Sequence, residues 1–218
     1  MLSPFLGRTY SREEIDLALN KFDGIEARWS EEYLTETAQL LSQGEIVGWF
    51  QGGSEIGPRA LGNRSILADP RDKDMKDRLN HRVKFRESFR PFAPAVLWEH
   101  QQEYFDLDVP TPYMLMVADI FPNKRNVIPA VTHVDGTGRL QTVMKDIHQR
   151  FYQLIEKFYF ITGVPVVLNT SFNVKGEPIV ETPEDALRCF QNTNFDYLII
   201  DKYVISKVKS RGDCNGVR

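Results

Sequence analysis

The sequence predicts an α/β fold built on one twisted, mixed β-sheet with flanking helices. Apolar runs of strand length, EIVGWF, APAVL and VPVVLN, recur along the chain, and amphipathic helical patterns stand between them. No internal repeat, low-complexity tract or long linker interrupts this alternation. A single domain over residues 1–206 is expected, with the polar, glycine-containing stretch 207–218 as a flexible tail.

The elements follow in order. Ser11 and Glu14 have the spacing of a capping box, and Ile15, Leu17, Ala18, Leu19 and Phe22 continue it as a short amphipathic helix. A second helix is expected from about Ser30 to Gln43, stopped by Gly44. EIVGWF then reads as a buried strand, QGGSEIGPRALGNRS as a glycine-dense loop, and SILAD as a short strand. Residues from about Lys73 to Val83 are charged and compatible with a helix. APAVL and YMLMVADI each read as a strand, residues 121–129 as a loop, and RLQTVM as a short β segment. DIHQRFYQLIEKFYFITG is a long helix ended by Gly163, and VPVVLNTSFN is a hydrophobic strand running into a polar turn. TPEDALRCFQN is a helix with Thr182 as N-cap and Pro183 in its first turn, and FDYLIIDKYVIS closes the fold with strands.

Composition bounds the function classes. With 218 residues, 42% hydrophobic and 26% charged, the chain has ample length for a sizeable core. A net charge of −3 gives no electrostatic case for general nucleic-acid or membrane binding, so any cationic site must be local. Cys189 and Cys214 lack the spacing of a zinc site or disulfide framework, which fits a reducing cytoplasm. No basic start leads into an apolar run, and no segment approaches the ~20 apolar residues of a membrane span.

Local cationic sites are present. In KFRESFRPFAPAV, an extended reading puts Lys84, Arg86, Ser88 and Arg90 on one side and Phe85, Glu87 and Phe89 on the other. Pro91 and Pro94 favour that extended reading. The row of cations calls for an anion, or for acidic neighbours from elsewhere in the fold. GPRALGNRS sets Arg59 and Arg64 among glycines, where backbone N–H groups can approach a ligand, although it lacks the GK[ST] ending of a Walker A loop. Arg139 follows a two-glycine turn. Asn169, Ser171 and Asn173 stand where a buried strand runs out, a position suited to phosphate or ribose oxygens, though Asn and Ser there also serve as ordinary turn caps. His81, His100, His133 and His148 show no metal-ligand spacing. Asp69, Asp72, Asp74 and Asp77 could recruit Mg²⁺, but a solvated helix start explains them better.

KFR at 84–86 with SFN at 171–173 matches the KxR and SxN signatures of the YrdC-like fold of threonylcarbamoyl-adenylate synthases. GWFQGGSEIGPRALGNRSILADPR, LNHRVKFRESFRPFAPAV, DGTGRLQTV and NTSFNVKGEPIVETPEDAL together resemble the C-terminal domain of O-carbamoyltransferases of the NodU/CmcH type, over nearly the whole chain. The resemblance implies a YrdC-like domain that binds ATP and carbamoyl phosphate and forms carbamoyl-adenylate with release of pyrophosphate. It further implies a separate N-terminal, metal-containing domain that carries the carbamoyl group to an acceptor hydroxyl. By resemblance, Arg59, Lys84, Arg90, Arg139 and Ser171 hold carbamoyl phosphate and the reacting α-phosphate. Arg86, Asn173, Asn169 and Arg64 are expected on the nucleotide side, and Mg²⁺ accompanies ATP with unassigned protein ligands. Two alternatives stand beside this: threonylcarbamoyl-adenylate synthesis for tRNA modification, and a non-catalytic nucleotide- or RNA-binding module.

Overall fold

A computed structural model describes residues 3–84 and 90–208. It begins with α1 (Arg12–Leu19), whose N-cap Ser11 and Glu14 complete the expected capping box. Then come β1 (Ile25–Trp29), α2 (Tyr33–Ser42), β2 (Val47–Phe50), β3 (Arg64–Ala68) and α3 (Met75–Leu79), which runs into one turn of π-helix, Asn80–Lys84. β4 (Ala93–Leu97), α4 (Gln101–Tyr104), β5 (Val117–Asp119), α5 (Pro122–Arg125), β6 (Thr137–Arg139) and β7 (Gln141–Val143) follow. The chain then forms α6 (Gln149–Thr162), β8 (Val166–Ser171), α7 (Pro183–Gln191), β9 (Tyr197–Ile200) and β10 (Tyr203–Lys207).

Eight strands make one mixed sheet in the order β1-β10-β9-β2-β3-β8-β4-β7, with β5 and β6 paired in a small second sheet. β2 runs parallel to β9 and β4 parallel to β7, while the remaining pairs of the large sheet are antiparallel. β8 is therefore central, antiparallel to β3 on one side and β4 on the other.

Helices cover both faces, as alternation along β2 shows. The Trp49 ring stacks on Tyr33 of α2, 6.1 Å between centroids. Its neighbour Gly48 faces the other way, where a Cβ would meet Phe172, Phe195 and Leu198 at 3.0–3.2 Å. Phe195 in turn packs on Phe190 of α7. Buried apolar side chains from Ile15 to Ile205 join in one core, with a small satellite of Leu61, Ala93 and Met114 beneath the loop that precedes β3.

The structure departs from the sequence reading in several places: α4 was not anticipated, residues 121–129, read as a loop, contain α5, and four further differences bear on the strands and the site. β1 was not anticipated: IEARW is mostly exposed and lies at the sheet edge against β10, so it carries no apolar alternation. YMLMVADI forms a strand only at its end, because Met114 takes a left-handed φ of 56° and Leu115 is exposed. RLQTVM is split at Leu140, one half pairing with β5 and the other with β4. The expected extended row through Lys84 is corrected too, since Lys84 closes the π-helical turn. Arg86 lies outside the described residues.

Candidate functional site

The site is built on the end of β8. Asn169 and Ser171 are two residues apart in a strand and so face the same side. Asn169 sits between Leu67 of β3 and Ala93 of β4, and Ser171 beside Ser65. Above them lies a cavity of about 120 Å³ lined by Arg59, Arg139, Asn169, Ser171, Phe92 and Met114 among others. A second cavity of about 270 Å³ shares Pro91, Phe92, Ala93 and Arg139 with the first and adds Arg90 and His133. The structure thus brings Arg59, Arg90, Arg139, Asn169 and Ser171 around one connected space.

The electrostatics are one-sided: among the described residues no carboxylate lines either cavity. Burial, with the charge of neighbouring Arg59 adding to it, holds the Arg139 guanidinium below its ordinary pKa. His133 is likewise held below the ordinary imidazole value, by burial first, with Arg139 and Lys76 reinforcing and Asp135 opposing. Two buried polar atoms at the cavity, Arg139 Nε and Asn169 Oδ1, have no hydrogen-bond partner among the described residues. Buried polar atoms are normally paired, so a donor and an acceptor left over on two residues of one cavity stand out.

The amides of residues 61–64 in the glycine-dense loop are already used within the protein. The Glu55 carboxylate already accepts from the N–H groups of Leu61 (2.7 Å), Asn63 (2.7 Å) and Arg64 (3.2 Å), while Gly62 N–H donates to Ser65 Oγ at 3.1 Å. Glu55 acts as an internal anion that shapes the loop, which contributes Pro58, Arg59 and Ala60 to the cavity. Gly62 is required in that turn: its φ is +109°, and a Cβ would meet the Phe151 ring at 2.4 Å.

Two predicted cations have inward roles. Arg64 is fully buried over the Phe50 ring at 3.6 Å and donates to the carbonyls of Gln51 (2.7 Å), Gly52 (3.1 Å) and Asn63 (3.1 Å). It lies apart from the cavity and ties the loop to β2 and β3. Lys84 is 4% exposed. Its Nζ donates to the Ser171 carbonyl, to the Asn173 carbonyl (2.9 Å) and Oδ1 (2.9 Å), and to Ser171 Oγ (3.3 Å). Ser171 Oγ also donates to Asn173 Oδ1 at 2.7 Å, and Asn173 Nδ2 to the Glu177 carbonyl at 2.8 Å. Lys84 and Asn173 therefore form a knot that fixes the turn carrying Ser171.

Sequence reasoning missed Glu55, Gln141 and His133. Gln141 stands two residues after Arg139 in RLQTV, and that proximity was the available signal. Its Nε2 donates to the Leu61 carbonyl at 2.7 Å and its Oε1 accepts from Asn169 Nδ2 at 2.8 Å.

The fold and site are those of a helix-covered mixed-sheet domain with an arginine-lined cavity at its central strands. Comparison with known proteins places that class. The family described as Carbamoyltransferase C-terminus matches residues 38–207, and this chain belongs to that family. Nodulation protein NolNO of Sinorhizobium fredii is 48% identical over 186 residues, covering 84% of this chain and 27% of the relative. The chain spans between 25% and 41% of the length of the curated relatives it matches. Among solved structures, Sua5 of P. abyssi, complexed with L-threonine, shares the fold with a TM-score of 0.57 at 16% identity, over 83% of this chain and 48% of that one. Full-length HypF in a phosphate- and nucleotide-bound form gives 0.54 at 18% identity, over 82% of this chain and 22% of that one. The fold is thus YrdC/Sua5-like, as the KxR and SxN signatures implied. Among the described residues no helix is long and apolar enough to cross a membrane.

Proposed function

We propose that this domain binds ATP and carbamoyl phosphate and forms carbamoyl-adenylate, which a partner domain then uses to carbamoylate an acceptor hydroxyl. The observation that carries this reading is the cavity on which Arg59, Arg139 and Ser171 converge, lined by no carboxylate and with Arg139 Nε unpartnered among the described residues. Two polyanions brought within reaction distance repel each other unless fixed positive groups offset the charge. Guanidinium groups suit this because they bind phosphate oxygens in forked geometry and keep their charge when partly buried. Membership in the carbamoyltransferase family and the fold shared with a nucleotide-bound protein support the same choice.

In the reaction, water and carbamoyl phosphate yield carbamate and inorganic phosphate. A carbamate oxygen then attacks the α-phosphorus of ATP in line, the new O–P bond forming as the bond from that phosphorus to the bridging oxygen breaks and pyrophosphate leaves. Arg59, Arg139 and Ser171 hold the small anion, and Arg90 faces the larger neighbouring cavity. Lys84 keeps the 171–173 turn in shape. A groove of about 430 Å³ opens at Val174, next to that turn; it has the size for a nucleoside, and its lining mixes Pro178, Ile179 and Val180 with Glu177, Glu181, Asp185 and Arg188. Among the described residues neither of the two cavities is lined by a carboxylate for Mg²⁺, whereas Glu177, Glu181 and Asp185 line the groove. A magnesium ion entering with ATP would be held by the nucleotide's own phosphates.

Exchange of labelled pyrophosphate into ATP tests the proposal. Exchange that depends on carbamoyl phosphate and is lost in Arg139→Met is expected. Exchange that instead requires threonine and bicarbonate would replace this reading with threonylcarbamoyl-adenylate synthesis. Salt-sensitive RNA binding without any exchange would replace it with a binding module.

A further inference from the structure

We propose that His133 is the general base that activates water against carbamoyl phosphate, its Nε2 taking the water proton. This rests on the reaction proposed above and assigns a residue to its first step. His133 is half-buried and lines the larger cavity together with Arg90 and Arg139. Its Nδ1 lies 3.1 Å from Thr137 Oγ1. That hydroxyl donates to Asp135 Oδ1 at 2.8 Å, and the Thr137 N–H donates to the same oxygen at 3.0 Å. Among the described residues, His133 Nε2 makes no hydrogen bond.

The tautomer of that ring is imposed from outside. A carboxylate can only accept, so the Thr137 hydroxyl directs its one proton to Asp135. It then faces His133 with a lone pair, and Nδ1 must be the nitrogen that carries the imidazole proton. Nε2 keeps its lone pair for something else. The turn itself does not depend on the ring: the His133 N–H donates to the Thr137 carbonyl at 2.9 Å, and the Gly136 N–H to the His133 carbonyl at 2.9 Å. Thr137 and Arg139 are alternate residues of β6 and face one side, so one strand places both the group that orients the imidazole and the guanidinium beside it.

Burial, reinforced by the charges of Arg139 and Lys76 and opposed by Asp135, holds the imidazole below its ordinary value, so at neutral pH it is uncharged and able to take a proton. A phosphoryl group drawn to Arg90 and Arg139 comes to the same cavity, and its negative charge favours the imidazolium as it forms. In the step, the water oxygen bonds to phosphorus as one water proton passes to Nε2. The bond from phosphorus to the carbamoyl oxygen breaks, and carbamate leaves with that electron pair. Inorganic phosphate is the other product, and the imidazolium then returns its proton to solvent.

The test compares two activities of the 218-residue chain. One is release of inorganic phosphate from carbamoyl phosphate in the presence of ATP. The other is pyrophosphate exchange supported by carbamate formed from ammonium and bicarbonate, which skips the water step. His133→Asn keeps an N–H for Thr137 but deletes the base. It should slow phosphate release by about a hundredfold or more, while carbamate-supported exchange stays within about threefold of wild type. Wild-type release should fall on acidification as Nε2 is protonated, and that limb should be missing from the variant. Thr137→Val, which unfixes the tautomer, should slow release by about tenfold, and it provides a second route should His133→Asn not fold. In heavy-oxygen water the label should appear in the released phosphate; unlabelled phosphate overturns the attack on phosphorus. Unchanged release in His133→Asn, or loss of both activities in step in both variants, overturns the inference and leaves the proposed reaction standing. A wild type that neither releases phosphate nor supports exchange from carbamate overturns both.

Discussion

His148 should make the fold acid-sensitive. It caps the N-terminus of α6, its Nδ1 accepting from the Phe151 N–H at 3.4 Å, and its ring lies 4.3 Å from Phe5 and 5.4 Å from Phe151 between centroids. Burial pushes the imidazole down to about 4, with the Arg150 charge adding and the Gly62 carbonyl opposing. In the unfolded chain the same group titrates near 6.5. Because the folded value is the lower one, the unfolded chain takes up a proton first as pH falls. The stability associated with neutral His148 is therefore complete above about pH 6.5, declines below it, and is gone below about pH 4. The full loss is about 3 kcal/mol, of which about 2 kcal/mol is reached by pH 5. Asparagine is a good N-cap without a titratable group, so His148→Asn should keep the helix start and remove this pH dependence. Urea unfolding of both proteins at pH 7.5 and pH 5 reads the difference. Wild type should lose about 2 kcal/mol more than the variant on going to pH 5. His133, also held low, is common to both proteins and cancels. Equal losses in the two, within about 0.5 kcal/mol, would refute the reasoning.

Three further outcomes are expected. Lys84→Met removes the buried donor of the Ser171 and Asn173 carbonyls, and should cost about 2–4 kcal/mol and lower Tm by roughly 4–16 °C in calorimetry; an unchanged Tm would show that the turn holds itself. Gly62→Ala forces a Cβ into the Phe151 ring at a left-handed φ and should destabilise by about 2–4 kcal/mol, against a prediction of no change if the ring simply moves aside. The Cys189 thiol, pushed up to about 12 by burial, should resist iodoacetamide at pH 8 until the chain is unfolded; peptide mapping that finds Cys189 alkylated in the folded protein would contradict its assigned environment.

The helices were legible because their ends are written in side chains. Ser11 with Glu14, and Thr182 with Asp185, form capping boxes in the structure, and Gly163 ends α6 at a left-handed φ of 72°. The central strands were legible because they are buried on both faces and read as apolar runs. β1 was not, because an exposed edge strand lacks that signature, and the break at Met114 depends on one backbone angle with no glycine to announce it. Within the site, residue types were informative but their directions were not. Arg59, Arg139, Asn169 and Ser171 do meet at one cavity. Arg64 looked equivalent in sequence, yet three loop carbonyls claim its guanidinium. Which acceptor a cation faces is decided by chain segments far away in sequence, as with Lys84 and residue 173, and no local pattern encodes it.

β8 carries both the centre of the sheet and part of the cavity lining, and this restricts how the gene can change. Val167, Asn169 and Ser171 alternate with Val166, Leu168 and Thr170, and the strand is locked between β3 and β4 on its two edges. Adding or deleting one codon before Asn169 would exchange the two faces, sending an amide into hydrocarbon and a leucine into the anion cavity. Point substitutions can retune this strand one side chain at a time, whereas a change in its length would damage core and cavity together. Length variation within the family is therefore expected in the loops and at the ends of the chain, with β8 kept free of insertions and deletions.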